Sequence, residues 1–449
     1  MMTKQTNPQA WAIALFTIGV FMAGLDNGII STALTTINES YQVSPTWGAW
    51  TVTLYTLGLA ISTPIIGKLS DRYGRKRLFI MEITLFGLGS VLVALSPNFI
   101  MLLVARFIQA IGGGGIFIIG SSHILSTLPK QKQGKALGML GGMHGLSAVI
   151  GPNLGAVILS FTGAWQWMFL INVPIAIFLI VFGLRKLEES KPGTEANLDV
   201  IGATLLSISI LTMMYGITQV AIPFLFVAII VFIVFVIHEK RIEQNEGDPI
   251  LSFSLLTKGK FIMTLVLGFL SGGFLAGIIF IPSFVENALG VPVEYAGYWV
   301  TPLALASGIG AGLGGAMTDK LGPLRAIASS GVIGIIGFTW FAVFVEGFTS
   351  FLLASILAGV GLGILLGAPL NMLAGESAKE SEQGTAIGTL SLARQIGLTI
   401  FPALFAVFMA TSGTVVRSGY NQMFITAAIL ALIVFIIGFV MSVRLRVRG

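Results

Sequence analysis

The side chain with the sharpest chemical demand is Asp26, about fifteen residues into the first apolar run of the chain. An ionised carboxylate at that depth in hydrocarbon costs about 2.5–3.5 kcal/mol on insertion scales, so an acid kept there is functional by default. Desolvation favours the neutral acid and a nearby cation favours the carboxylate, so a carboxyl that meets both is suited to taking up and releasing a proton. The nearest cation by depth is Arg106, about eight residues into the run 99–122, which crosses in the opposite sense to the first. A guanidinium stays charged, so Arg106 would tune Asp26; a permanent structural ion pair is the alternative. Glu286, at the end of the run 261–285, would supply a second acid for a proton or a cationic solute. It would equally be a solvated surface residue, because Asn287 and Gly290 mark the end of that run. His144 lies mid-run and belongs to the one residue type whose charge changes near neutral pH; a hydrogen-bonded packing role fits it as well. Tyr55, Gln109, Gln166, Asn172, Asn371 and Gln395 are polar residues within apolar runs and would line a central site. Glu82, five residues after Arg77, pairs most simply with the basic loop before it.

These residues need elements that hold them inside hydrocarbon, and the composition supplies little else. The chain has 449 residues, 55% of them hydrophobic, only 10% charged and 56 glycines, with a mean hydropathy of +0.93. A soluble domain carries about 25% charged residues. Apolar runs fall at 11–37, 47–67, 78–96, 99–122, 135–160, 166–184, 198–218, 220–238, 261–285, 295–317, 326–345, 350–373, 384–410 and 421–443. Each suits a membrane-spanning helix of about 20 residues, and together they predict fourteen spans with both termini on one side. With the termini in the cytoplasm, all 25 Lys and Arg except Arg106, Arg394 and Arg417 fall on the cytoplasmic side, as the positive-inside bias requires. The net charge of +6 is therefore read as orientation, not as nucleic-acid binding. Zero cysteines exclude disulfides and thiolate chemistry. No GxxxxGK[ST] phosphate loop occurs, and no cleavable leader is expected, because the first apolar run continues past 20 residues.

The run Gly67 to Arg77, GKLSDRYGRKR, packs five basic residues and one acid between apolar stretches and returns as GAMTDKLGPLR, Gly315 to Arg325. Gly67 falls on Gly315, Asp71 on Asp319, Arg72 on Lys320, Gly74 on Gly322 and Arg77 on Arg325. A charged loop repeated once per half of a hydrophobic chain indicates a duplicated helical transporter. Two longer polar loops bracket the runs 198–218 and 220–238, which have no counterpart in the repeat. The expected organisation is an N-terminal six-helix bundle at 1–185, a linker with an inserted transmembrane hairpin at 186–259 (hairpin 198–238), and a C-terminal six-helix bundle at 260–449. Gly141, Gly142, Gly145, Gly151 and Gly155 give the fifth run a small-residue face, and Pro152 predicts an interruption there.

Together these segments resemble the major facilitator superfamily, and within it the 14-helix drug:proton antiporter family, over nearly the whole chain. Gly67 to Arg77 resembles the superfamily's loop signature between helices two and three. LDNGIISTAL (Leu25 to Leu34) resembles the family's first-helix acidic motif, and RFIQAIG (Arg106 to Gly112) its fourth-helix arginine motif, with Ala110 where glycine is usual. GMHGLSAVIGPNLGA (Gly142 to Ala156) resembles the fifth-helix antiporter motif, followed by a family-like Trp165-Gln166-Trp167. The resemblance implies an all-α membrane protein of the major facilitator fold, not an enzyme, that exports amphipathic, often cationic drugs or dyes in exchange for protons by alternating access. An exporter of one metabolite, a siderophore or tetracycline is the alternative. It implies proton movement through Asp26 and Arg106, and a hinge or seal at the motif Gly142, His144, Gly151, Pro152 and Gly155. Gly67, Asp71, Arg72, Gly74 and Arg75 would form a conformational latch, with Asp71 at the N-terminal end of the helix starting near Thr385. Glu286 stands where related exporters usually carry glutamine. No metal or cofactor is expected, the proton gradient being the energy source. The expected surroundings are lipids of a bacterial plasma membrane, with the chain a monomer and no nucleic-acid partner.

Overall fold

The computed structural model describes residues 8–43, 45–48, 50–189, 199–218, 221–245, 249–251, 253–292, 297–411 and 416–447. Lys4 and Arg448, which entered the charge-orientation argument, and most of the polar loop before the inserted hairpin lie outside them. The described chain is helical: α1 (Pro8–Tyr41), α2 (Trp50–Tyr73), α3 (Arg75–Ala94), α4 (Phe99–Gly113), α5 (Ile116–Thr127), α6 (Lys130–Thr162), α7 (Gln166–Leu170), α8 (Asn172–Lys186), α9 (Val200–Thr218), α10 (Ile222–Gln244), α11 (Gly259–Ile279), α12 (Ile281–Leu289), α13 (Thr301–Leu321), α14 (Pro323–Val343), α15 (Phe348–Leu366), α16 (Pro369–Ser377), α17 (Gln383–Thr411) and α18 (Val416–Val447), with short helical turns between some of them. Helices are the form in which an apolar segment satisfies its own backbone in lipid.

Among the described residues, eleven helical stretches are long and apolar enough to cross a membrane, and shorter apolar helices occur at Asn153–Thr162 and Val200–Met213. The expected runs 135–160, 198–218 and 384–410 are helical in α6, α9 and α17 but are not among the eleven. Several expected spans are broken. The fourth divides at Gly114 and Gly115 into α4 and α5, and the twelfth divides at Gly367 and Ala368 into α15 and α16. By contrast α6 is helical through Gly151 and Pro152, so the interruption predicted there does not occur. Its close packing does: a Cβ on Gly151 would lie 2.7 Å from Gly28 Cα of α1.

The chain divides into two compact units that are not contiguous in sequence. Unit 1 comprises Met1–Leu128, Ser147–Leu255 and Ala378–Thr389; unit 2 comprises Pro129–Leu146, Leu256–Ser377 and Leu390–Gly449. The inserted hairpin, α9 and α10, therefore belongs to unit 1, and the helices α6 and α17 each begin in one unit and continue in the other. In unit 1, Leu25, Ile29, Ala33, Leu102, Trp165 and Phe169 form a buried apolar cluster around one stretch of α1. In unit 2, Phe341 stacks on Phe424 at 4.8 Å and meets Phe284 and Phe351 edge-on. Apolar residues are also turned outward, as at Phe226, Ile229 and Ile230 of α10, which suits a lipid-facing surface.

Candidate functional site

Asp26 is fully buried in unit 1, and both of its carboxylate oxygens are occupied. Arg106 Nη1 donates to Oδ2 at 2.6 Å. Gln109 Nε2 and Asn172 Nδ2 donate to Oδ1 at 2.8 and 3.2 Å. Ser90 Oγ accepts from the same two amides at 2.8 and 3.3 Å and so ties them together. Arg106 is held in turn by Gln109 Oε1 (2.7 Å) and the Thr51 carbonyl (3.4 Å). Its guanidinium lies 4.1 Å from the Tyr55 ring centroid and 5.4 Å from that of Phe169, close enough for cation–π attraction.

Local sequence explains the assembly. Asn98 caps α4 by accepting from Met101 N–H at 2.9 Å, fixing the helix start that carries Arg106 and Gln109 three residues apart on one face. Gly89 lets α3 approach so closely that a Cβ there would sit 2.5 Å from Gln109 Cα, which brings the neighbouring Ser90 to the Gln109 amide. Asn172 opens α8 directly after the short α7, whose Phe169 completes the guanidinium's surroundings.

The arrangement can register a proton chemically. Three donors fill three of the carboxylate's roughly four lone-pair sites; a proton takes the remaining one, removes the charge that holds Arg106, and creates an O–H that needs an acceptor of its own. Arg106 Nη2, Asn172 Oδ1 and Tyr55 Oη are buried without a hydrogen-bond partner among the described residues, so alternative partners for a rearranged network stand at hand.

A second feature is the loop acid Asp71. Its Oδ1 accepts from Gly384 N–H at 3.0 Å and its Oδ2 from Thr385 N–H at 2.9 Å, the first turn of α17 within unit 1. A carboxylate at a helix N-terminus satisfies free N–H groups and meets the positive end of the dipole. Gly67 makes the approach possible, since a Cβ there would fall 2.5 Å from the Gly384 carbonyl. Arg75 reaches Ser126 Oγ and lies 3.8 Å from Asp71, while Arg72 lies over the Tyr73 ring. Gly74, at φ 93°, makes the turn into α3 in a conformation that side chains disfavour.

The repeat reproduces this geometry within unit 2. Asp319 Oδ1 and Oδ2 accept from Gly134 and Lys135 N–H of α6, both at 2.7 Å. Gly315 approaches the Gly134 carbonyl as Gly67 approaches that of Gly384, and Gly322 repeats the positive φ at 86°. Asp319, the counterpart of Asp71 in the sequence repeat, thus makes the same pair of contacts, and the repeat is the signal that points to it.

Other expected site residues lie elsewhere. Gln166 is half-buried at the start of α7, with no bond to the Asp26 group. Asn371 is buried in unit 2, its Nδ2 donating to the Gly367 carbonyl at the α15–α16 break. Glu286 is exposed near the end of α12, and Gly290 at φ 69° closes that helix. His144 is exposed, on the part of α6 that belongs to unit 2, within electrostatic range of Arg394. Gly142 abuts the Gly308 carbonyl and Gly155 is buried; the Pro152 side chain lies outside what is described. Glu82 does not pair with the basic loop: it is fully buried and accepts from Gly115 N–H at 2.7 Å. Sequence reasoning also missed Ser90, a common residue type in membrane helices. Among the described residues no cluster of His, Cys, Asp or Glu could hold a metal.

The family model of the Major Facilitator Superfamily matches residues 16–402 and 261–448. The uncharacterized MFS-type transporter YfiU of Bacillus subtilis (strain 168) is 58% identical over 434 residues, covering 94% of this chain and 82% of that protein. Multidrug resistance protein 3 of the same organism is 32% identical over 427 residues, covering 90% and 80%. Among solved structures, the human organic anion transporter MFSD10 superposes with a TM-score of 0.71 at 16% identity, covering 96% of this chain and 100% of that one; at that identity the likeness concerns the fold.

Proposed function

The chain belongs to the Major Facilitator Superfamily and is a multi-pass secondary active transporter, not an enzyme; on that premise we propose that it is a proton-coupled multidrug efflux antiporter of the 14-helix type in a bacterial plasma membrane, with both termini cytoplasmic. The observation that carries this reading is the Asp26 centre, a buried carboxylate held by a guanidinium and two amides, where a proton would remove the charge that binds Arg106. A proton binding at Asp26 frees Arg106, Gln109 or Asn172 to take other partners and so changes the packing of α1 against α4 and α8. Coupling then needs no added cofactor. The multidrug relative at 32% identity supports amphipathic drugs as the cargo. Asp71 and Asp319 act as latches on α17 and α6, the helices that run from one unit into the other, and alternating access proceeds as they engage and release. Gly142, Gly151 and Gly155 supply close packing along α6 as it moves.

The test is uptake of a panel of cationic and neutral dyes into inverted vesicles carrying the chain, with and without an interior-acid gradient. Gradient-dependent uptake of several unrelated dyes is expected. Uptake of one solute alone would replace the multidrug reading by a dedicated exporter, and uptake indifferent to the gradient would remove proton coupling.

A further inference from the structure

Glu82 is a second acid in the interior of unit 1, two turns into α3 and fully buried. Its Oε2 accepts from Gly115 N–H at 2.7 Å, just before the first turn of α5 where the fourth span breaks. Its Oε1 is buried with no hydrogen-bond partner among the described residues. Gly115 is obligatory there, because a Cβ would lie 2.0 Å from Ile66 and 2.8 Å from Glu82 Oε2.

Among the described residues no cation pairs with this carboxyl. The charged and titratable groups on the elements packed against it are Arg75, Lys76 and Arg77 on α3 itself, Tyr55, Lys68, Asp71, Arg72 and Tyr73 on α2, Arg106 on α4, His123 on α5, and Arg185 and Lys186 on α8. None bonds to Glu82; Arg106 is engaged by Asp26 and Gln109, and Arg75 by Ser126 and Asp71. One N–H and a helix terminus satisfy one oxygen, while a bare second oxygen makes the ionised form costly in a dry interior. A proton on Oε1 removes the charge and leaves Oε2 free to keep the Gly115 bond.

Position links Glu82 to the Asp26 centre. Ser90, which ties Gln109 to Asn172, stands eight residues further along α3, about 12 Å away along the axis and on the same face. Tyr55, which covers Arg106, would have its unpartnered Oη 3.3 Å from a Cβ on Gly113, just before the break that Glu82 caps. Tyr55 thus reaches from the Arg106 guanidinium to the Gly113 end of α4, on the Glu82 side of the Asp26 centre.

We propose that Glu82 is a proton-binding site, protonated on Oε1 in this conformation, and the stop through which a proton leaving Asp26 passes toward the cytoplasmic end of α3. Asp26 gives up one proton and becomes the carboxylate that three donors hold. Glu82 takes that proton and becomes the neutral acid, then returns it to water when the site opens. The relay role rests on the proton-coupled reading; protonation of Glu82 does not.

Infrared spectroscopy of the full chain in liposomes separates the two. A carbonyl band of a protonated carboxyl is expected in the parent, shifted by 13C-glutamate labelling, lost in Glu82→Gln, and retained in Asp26→Asn and in Glu239→Gln, Glu239 being the other fully buried glutamate among the described residues, on α10, where it accepts from Leu251 N–H at 2.8 Å. Glutamine keeps an oxygen for the Gly115 N–H, so the cap survives. Should that variant fail to fold, Glu82→Asp is expected to shift the band out of the labelled-glutamate set. A Glu82→Gln spectrum superimposable on the parent, or a labelled parent without a shifted carboxyl band, overturns the proposal. In transport, Glu82→Gln is expected to retain dye counterflow, which moves no net proton, while losing gradient-driven accumulation; retention of both removes the relay role. A parent chain indifferent to the gradient would sink the antiporter reading and leave the spectroscopic result to decide Glu82 by itself.

Discussion

At the scale of single residues, Asp26 and Arg106 form one chemical unit, and their variants separate charge from geometry. Asp26→Asn nearly preserves shape but leaves a buried guanidinium uncompensated, at a cost of about 3–5 kcal/mol. We expect a lowered thermal midpoint and no gradient-driven efflux; the double variant Asp26→Asn/Arg106→Gln should recover much of the midpoint and none of the efflux. Arg106→Lys keeps the charge but loses the fork that reaches Asp26 and Gln109 together, and it loses stacking on Tyr55. Incomplete rescue of dye efflux is expected, and full rescue would reduce Arg106 to a generic cation. This centre was legible in the sequence to the extent that burial made a residue type expensive. An acid and an arginine in apolar runs announce themselves, and Gln109 and Asn172 do so more faintly. Ser90 did not, because a serine in a membrane helix costs little and can bond to its own backbone. For Glu82, nearness to Arg77 in sequence is not nearness in space. A helix turns 100° per residue, and Glu82 faces inward while Arg77 is exposed.

At the scale of elements, the two loop acids are the same device made twice. Each carboxylate binds two consecutive N–H groups near the start of a long helix, Asp71 on α17 and Asp319 on α6. Each depends on a glycine that allows backbone to meet backbone. Asp71→Asn retains one acceptor oxygen and loses the charge, weakening the hold by about 1 kcal/mol or more. The expected result is a resting population shifted toward inward-facing states, and Asp319→Asn should shift it likewise. Because the chain has zero native cysteines, single introduced cysteines report this cleanly. Identical labelling patterns in the parent and both variants would remove the latch role. Gly67→Ala forces a methyl group against the Gly384 carbonyl 2.5 Å away and should disturb the same equilibrium at a cost of about 1–3 kcal/mol. The repeat itself is plain in the sequence, and the helix that Asp71 meets is the one expected near Thr385. The helix breaks were less legible. Four consecutive glycines at Gly112 to Gly115 permit a break without requiring one, whereas Gly151-Pro152 suggested a break in a helix that runs on.

At the scale of the whole molecule, the apolar composition and the placement of charge made an all-helical membrane transporter legible before any coordinate. The partition into units was not: α6 and α17 each contribute their first turns to one unit and the rest to the other, an exchange that hydropathy cannot register. Glu286 marks the boundary of this reading. It is exposed and lies in unit 2, so Glu286→Gln should leave proton stoichiometry unchanged; a changed stoichiometry would make it a second coupling acid. The central claim is that proton binding at Asp26 drives export. The most direct measurement is dye accumulation in inverted vesicles under an imposed interior-acid gradient, comparing the parent with Asp26→Asn at matched protein content. The account predicts gradient-dependent accumulation in the parent and none above the protein-free level in Asp26→Asn, and equal gradient-driven accumulation in both would contradict it.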